Sequence, residues 1–220
     1  MTTPAEFQKM TAASGEAMAA LGIYEALLRK WQKQINLVGE TTLKDIWGRH
    51  FLDSAQVQIF SRQTSSAGRR LTWLDLGTGA GFPGLVLAIL GEPKVFLVEK
   101  NPKKCAFLRA VVRETGAFAT VIPSRLENIA PFPVDRVTAR ALAPVSRLLD
   151  WGAPYLRAGG EYWLLKGRSA EGELAEAEKL WTLKTSSFQS RTDPGGKVLR
   201  IYDAARKALP RKAAKARLAS

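Results

Sequence analysis

Between residues 16 and 35 apolar side chains recur at helical spacing. Leu21, Leu27, Leu28, Trp31 and Ile35 fall on one face and Tyr24 fills the gap, so an amphipathic helix is expected there. Residues 43–60 repeat the pattern, with Ile46, Trp47, Phe51, Ser54 and Val57 near one face. The run SRQTSSAGRR, residues 61–70, is polar and reads as a linker. Beyond it the pattern shortens into strands at Leu71–Leu76, Val95–Glu99, Ala119–Ile122, Arg136–Thr138, Glu161–Lys166, Leu183–Gln189 and Lys197–Tyr202. Helices are expected between them: near Pro83–Leu90, from Pro102 to Gly116, over Ser146–Leu156 before the Gly159–Gly160 turn, and over Ala170–Trp181. Asn101 is the expected N-cap of the second of these, with Pro102 at its first position and Gly116 at its end. Asp193, Pro194, Gly195 and Gly196 supply the turn between the last two strands.

Strands alternating with helices predict an α/β fold, a mostly parallel seven-stranded sheet covered on both faces, with the two N-terminal helices as an added layer. A length of 220 residues fits one domain. The expected division is a helical extension over 1–70, a sheet domain over 71–205 and a basic tail over 206–220. Charge changes the picture more than size does. The 33 Lys and Arg against 20 Asp and Glu leave +13, which predicts a polyanionic partner. From Arg200 to Ser220 there are seven Lys or Arg and one acid, Asp203. The apolar runs around Gly84–Leu90 and Trp163–Leu165 are far shorter than the ~20 residues a membrane span needs. The N-terminus lacks the basic start and apolar core of a secretory signal, so a cytoplasmic monomer with no membrane partner is expected. One cysteine, Cys105, excludes an intrachain disulfide, and one histidine, His50, leaves little for a metal site; none is expected.

The most informative run is Leu74-Asp75-Leu76-Gly77-Thr78-Gly79-Ala80-Gly81-Phe82-Pro83-Gly84, which leaves a strand and enters a helix. That is where open α/β sheets bind ligands. Two parses compete. Gly79, Gly81 and Gly84 satisfy the dinucleotide pattern G-x-G-x-x-G, with Glu99 twenty residues after Gly79. The other parse, Asp75-x-Gly77-x-Gly79-x-Gly81, resembles the first motif of S-adenosylmethionine-dependent methyltransferases. The second fits better. The glycine at the strand end is Gly77, position 82 is Phe, and an acid beside a diphosphate is unfavourable. Asp75 is expected near cationic groups of the ligand, and Glu99 is placed to accept from two ribose hydroxyls.

The run LDLGTGAGFPGLVLAIL, with WQKQINLVGETTLKDIWGRHFLDS upstream and LVEKNPKKCAFL, SRLENI, VTARALAPV and LLKG downstream, resembles the bacterial guanine-N7 methyltransferases of 16S ribosomal RNA, also called glucose-inhibited division protein B. The resemblance covers most of the chain. It implies a class I, Rossmann-like methyltransferase sheet, S-adenosylmethionine as cofactor, and 16S rRNA or a small-subunit particle as partner. It carries cofactor contacts to Gly77, Gly79, Phe82, Glu99, Leu126, Glu127 and Arg140. In that reading Leu126 and Phe82 flank the adenine or thioether. Glu127 meets the adenine amine. Arg140 reaches the methionine carboxylate or the substrate, or else pairs with Asp135 or Glu127.

Guanine N7 is a bare lone pair at neutral pH, so an N7 methyltransferase needs alignment and desolvation but no general base. This suits a chain with one histidine and no paired carboxylates. Cys105 lies inside a helix beside Ala106 and Phe107 and reads as a core residue. His50 and Asp53, three apart, share a helical face and either pack the layers together or serve the site. The tryptophans are read as core. Arg49, Arg69, Arg70, Lys103, Lys104 and Lys166 are the candidates for phosphate contacts. An oxidoreductase using a nicotinamide and a non-catalytic RNA-binding protein are the alternatives.

Overall fold

The computed structural model describes residues 1–64 and 70–208. Seven strands form one sheet in the order β3-β2-β1-β4-β5-β7-β6, where β1 is Thr72–Asp75, β2 Lys94–Val98, β3 Ala119–Ile122, β4 Val134–Arg140, β5 Leu156–Lys166, β6 Trp181–Gln189 and β7 Lys197–Arg206. The first five run parallel, and β7 pairs antiparallel with both β5 and β6. The strand order reverses at β1, so the connections leaving the carboxyl ends of β1 and β4 depart to opposite faces of the sheet and open a crevice, the switch point of this class of sheet.

Alternation along the strands divides the core. Trp73, Leu165 and Val198 face one side and pack with α2 (Gly15–Gln32), α3 (Asp53–Thr64), α4 (Gly84–Ile89) and α5 (Pro102–Thr115). Leu74, Val137, Leu164 and Leu199 face the other and pack with α6 (Val145–Gly152) and α7 (Ala170–Leu180). The N-terminal helices belong to the first of these cores: Phe7, Leu21, Tyr24 and Phe51 have no exposed surface.

Several elements differ from expectation. A short helix α1, Pro4–Thr11, precedes α2; Thr3 and Glu6 close it with a capping box that the sequence reading missed. The helix expected over 43–60 is three pieces: a 3₁₀ turn at Glu40–Asp45, a π-helical turn at Trp47–Leu52, and α3. The polar run from 61 begins inside α3, and residues 65–69 lie outside the described residues. β4 and β5 extend beyond their expected cores. The cap of α5 is as expected: Asn101 accepts from the Lys103 and Lys104 amides, and Gly116 ends the helix in the left-handed region. Most of the basic tail, residues 209–220, lies outside the described residues. Arg206 still belongs to β7 and pairs with Asp150.

Candidate active site

The glycine turn after β1 is held from three sides. From the sheet, Asp75 is fully buried, and its Oδ2 accepts from Thr78 Oγ1 at 2.5 Å and from the Gly84 amide at 2.8 Å. From β2, Glu99 Oε2 accepts from the Gly79 amide at 3.0 Å, while its Oε1 accepts from the Asn101 amide at 2.7 Å. From the N-terminal layer, the Tyr24 hydroxyl donates to the Ala80 carbonyl. Gly77 has φ +60, and a Cβ there would stand 2.6 Å from Leu142 Cδ1, so a side chain at this point strains the turn and displaces Leu142.

This arrangement corrects the expected role of Asp75. Its carboxyl group is a brace inside the turn and lines neither of the two cavities beside it. Burial pushes its pKa up to about 7, against the hydrogen bonds from Thr78 and Gly84, and Oδ1 has no partner among the described residues. The same brace argues against a dinucleotide. The Gly84 amide that heads α4 is already spent on Asp75, so it is not offered to a diphosphate.

Two adjoining cavities open at the carboxyl ends of the strands. The first, of about 540 Å³, is lined by Gly77, Gly79, Phe82, Glu99, Leu126, Glu127 and Arg140, so the sequence-predicted cofactor residues all meet in one place. It is also lined by residues the sequence reading did not single out, among them Leu142, Ser124 and Trp151. Trp151, read as core, is half-buried on this wall. Leu142 lay inside the VTARALAPV block, so that block carried the signal. The second cavity, of about 570 Å³, shares Leu37, Val38, Arg140 and Ala141 with the first.

Arg140 stands on the shared wall and is clamped. Its Nη1 donates to Asp53 Oδ2 at 3.1 Å and to the Arg49 carbonyl at 3.2 Å. Its Nη2 donates to His50 Nδ1 at 3.0 Å, and the guanidinium lies 4.8 Å from the centre of the Phe82 ring. The acids expected as alternative ion-pair partners of Arg140, Asp135 and Glu127, are thus replaced by Asp53, with His50 beside it. Asp135 instead pairs with Arg157 at 3.1 Å. Burial, helped by the Arg140 and Arg49 charges, lowers the His50 pKa to about 3, so the imidazole is neutral. With Nδ1 accepting from Arg140, the proton sits on Nε2, which donates to Thr42 Oγ1 at 2.8 Å; Thr42 donates on to the Gly39 carbonyl at 2.7 Å. The π-helical turn that carries Arg49 and His50 therefore anchors the N-terminal layer on the strand that ends at Arg140.

A residue-matching family model describing the rRNA small subunit methyltransferase G covers residues 17–196. The chain belongs to this family. It is 51% identical over 203 residues to the ribosomal RNA small subunit methyltransferase G of Paramagnetospirillum magneticum, covering 92% of this chain and 97% of that one. The Rhodospirillum rubrum counterpart is 49% identical over 199 residues, covering 90% and 96%. Among solved structures, a TehB-like S-adenosylmethionine-dependent methyltransferase from Corynebacterium glutamicum matches 85% of this chain and 100% of its own with a TM-score of 0.55 at 16% identity. A ribosomal protein L11 methylase from Lactobacillus delbrueckii subsp. bulgaricus matches 70% and 79%, also at 0.55 and 16%. At that identity these two show the fold, a class I methyltransferase sheet.

Within this family member three expected roles change. Phe82 is 3% exposed, stacked on Tyr24 and on His50, with Arg140 over its ring. It therefore supports Arg140 and offers little face to an adenine. Lys166, expected to meet phosphate, is turned inward: its side chain is 8% exposed, and Nζ bonds Glu173 at 2.6 Å and the Ala143 carbonyl at 2.8 Å. Arg70 is exposed but precedes β1, at the amino ends of the parallel strands, whereas both cavities open at their carboxyl ends. Arg69 lies outside the described residues. Lys103 is exposed on the first turn of α5, Lys104 lines the first cavity and Arg49 the second. Cys105 is buried with its thiol donating to the Glu99 carbonyl at 3.1 Å, and burial pushes its pKa up, so it is a packed thiol.

His50 and Asp75 give opposite pH signatures. Between the ordinary histidine value of 6.5 and about 3, the unfolded chain protonates His50 and the folded chain does not, so this contribution to stability is lost as pH falls. Between 3.8 and about 7 the folded chain keeps Asp75 protonated while the unfolded chain ionises it, so that contribution is lost as pH rises. In urea denaturation, His50→Gln is expected to lose stability less steeply than the wild type below pH 6. Asp75→Asn is expected to remove the decline toward pH 7. Wild-type slopes in both variants would show that neither group is shifted.

Proposed function

We propose that this chain transfers a methyl group from S-adenosylmethionine to N7 of a guanine in 16S rRNA. The observation that carries the reading is the first cavity, where the braced glycine turn, Glu99 and the clamped Arg140 face one another in a member of the rRNA small subunit methyltransferase G family.

The residues fit the cofactor. Each oxygen of the buried Glu99 carboxylate accepts one backbone amide, which leaves further acceptor capacity on both for a ribose diol. Leu126, Leu142 and Trp151 give the cavity apolar surface for a purine or a thioether, and Glu127 on the same lining supplies an acceptor suited to an exocyclic amine. Gly77 and Gly79 bring backbone to the cavity wall without side chains. When bound, S-adenosylmethionine supplies an electrophilic methyl group. The chain's own work is to orient the acceptor, exclude water and hold Arg140 still. No proton leaves guanine N7, and the neutral His50 has no base to play, since its Nδ1 is committed to Arg140.

On the RNA side, Arg49, Lys103 and Lys104 are the proposed phosphate contacts, supported by their place on or beside the cavities and by the net charge of +13. Among the described residues no helix is long and apolar enough to cross a membrane. The proposed setting is the cytoplasm, with a monomer acting on 16S rRNA, free or in a small-subunit particle.

The test is single-turnover methylation of 16S rRNA between pH 6 and 9 with the cofactor saturating, and mass mapping of the product. The expected product is 7-methylguanosine, with a rate constant constant within about threefold. A tenfold rise following one pKa, with RNA and protein intact, would overturn the base-free mechanism. Methylation of another atom would overturn the assignment.

A further inference from the structure

The second cavity is built mostly by elements that the first does not use. One wall comes from the N-terminal layer, including Arg49, His50 and Gln56. The other comes from Gly167 after β5 and from the β6–β7 turn, including Asp193. At about 570 Å³ it lies in the size range of small-ligand sites. Because Leu37, Val38, Arg140 and Ala141 line both cavities, the two adjoin along that border, where an occupant of the second can meet an occupant of the first.

Its polar groups are nearly all committed. Asp53 accepts from Arg140 with one oxygen and from Gln56 and Thr192 with the other. Glu173 accepts from Ser169 with one oxygen and from Lys166 and the Val145 amide with the other. Gln56 uses both ends, donating to Asp53 and Ser190 and accepting from the Arg191 amide. Asp193 differs. Its Oδ1 accepts from the Gly195 amide at 2.9 Å, while Oδ2 accepts from no described residue. Asp193 lines the second cavity and not the first. A free carboxylate oxygen there suits a ligand edge that carries donors. Guanine has two adjacent ones, N1–H and the N2 amine, whereas adenine presents a bare N1 at that edge and would be repelled. A guanine whose donor edge meets Asp193 leaves N7, which lies on another edge of the base, free to reach the methyl group. Arg49, exposed at this cavity, spends Nη1 on the Thr192 carbonyl and keeps other donors for a phosphate.

We propose that the second cavity receives the acceptor guanine nucleotide, extruded from the RNA, with Asp193 reading its N1–H and N2 amine and Arg49 meeting a flanking phosphate. Enzymes that modify a base take it out of the stack and read it by its pairing edge. The inference rests on the reading of the protein as a guanine-N7 methyltransferase.

The experiment begins with the wild-type chain: adenosylmethionine affinity by calorimetry, then N7 methylation of 16S rRNA. Failure at this stage sinks the methyltransferase reading and is seen before any variant is made. The deciding variant is Gly167→Trp. A Cβ at Gly167 meets nothing within 4 Å, and Gly167 lines the second cavity but not the first, so the indole fills the proposed site without touching the cofactor. Gly172→Trp, on exposed α7 and equally open around its Cβ, controls for added bulk. The expected result is a loss of at least 50-fold in kcat/KM for Gly167→Trp, with adenosylmethionine Kd within twofold of wild type and Gly172→Trp unaffected. A folded Gly167→Trp that methylates within threefold of wild type would overturn the proposal. If Gly167→Trp does not fold, Asp193→Asn decides, because its remaining carbonyl oxygen keeps the Gly195 cap while the amide opposes the guanine donors. A tenfold lower kcat/KM, carried mostly by KM, is expected, and unchanged kinetics would sink the idea.

Discussion

Gly77→Val is expected to raise the Kd for S-adenosylmethionine at least 100-fold while the chain stays folded. Two independent costs meet at this residue. Its φ of +60 is a conformation that β-branched residues adopt only under strain. A Cβ there would also come within 2.6 Å of Leu142 Cδ1 and 3.0 Å of Cδ2. The strain alone is of order 1–3 kcal/mol, which a domain of this size tolerates. The accommodation must come from the turn or from Leu142, and both line the first cavity. Calorimetry with adenosylmethionine and a thermal melt measure the two consequences separately. A folded variant with wild-type affinity would mean that the cofactor lies elsewhere.

Arg140→Lys is expected to lower kcat/KM on 16S rRNA at least 100-fold although the charge is kept. The guanidinium meets Asp53, the Arg49 carbonyl and His50 Nδ1 at 3.0–3.2 Å while lying over Phe82. An ammonium is a point charge on a flexible stem. It cannot span three acceptors on two sides and still present a flat face to an aromatic ring. The neutral His50 then loses the donor that fixes its tautomer, and the link from the π-helical turn to the end of β4 loosens. The measurement is a kcat and KM comparison beside cofactor affinity. Wild-type turnover in Arg140→Lys would show that charge alone matters at this position.

Much of the site was legible because its chemistry is local. Glycines between a buried acid and a helix can be recognised in a row, and Glu99 falls at a strand end fixed by hydrophobic spacing. The strands were placed by alternation, and the α5 caps by residues whose side chains bond backbone two or three positions away. What the sequence does not show depends on how the chain turns back on itself. Asp75 looked like a ligand contact because its nearest neighbours are glycines; only the folded turn shows its oxygen taken by Thr78 and Gly84. Lys166 looked like a surface cation, because nothing near it in sequence announces that Glu173 will fold back beneath it.

The sequence by itself determined the α/β architecture, the glycine turn, the acid at the end of β2, the basic balance and, through ordered motif blocks, the family. Each follows from a short-range pattern: periodicity, backbone freedom or composition. The tertiary structure alone decided how Arg140 is held, since Asp53 and His50 lie 87 and 90 residues away from it in the chain. It alone decided that Tyr24 reaches the Ala80 carbonyl across 56 residues and so makes the N-terminal layer part of the site. The two cavities and their shared wall belong to the same class of fact. They arise where the strand order reverses and a separate layer closes over the opening, and no local pattern in a chain encodes which of its distant segments will meet there.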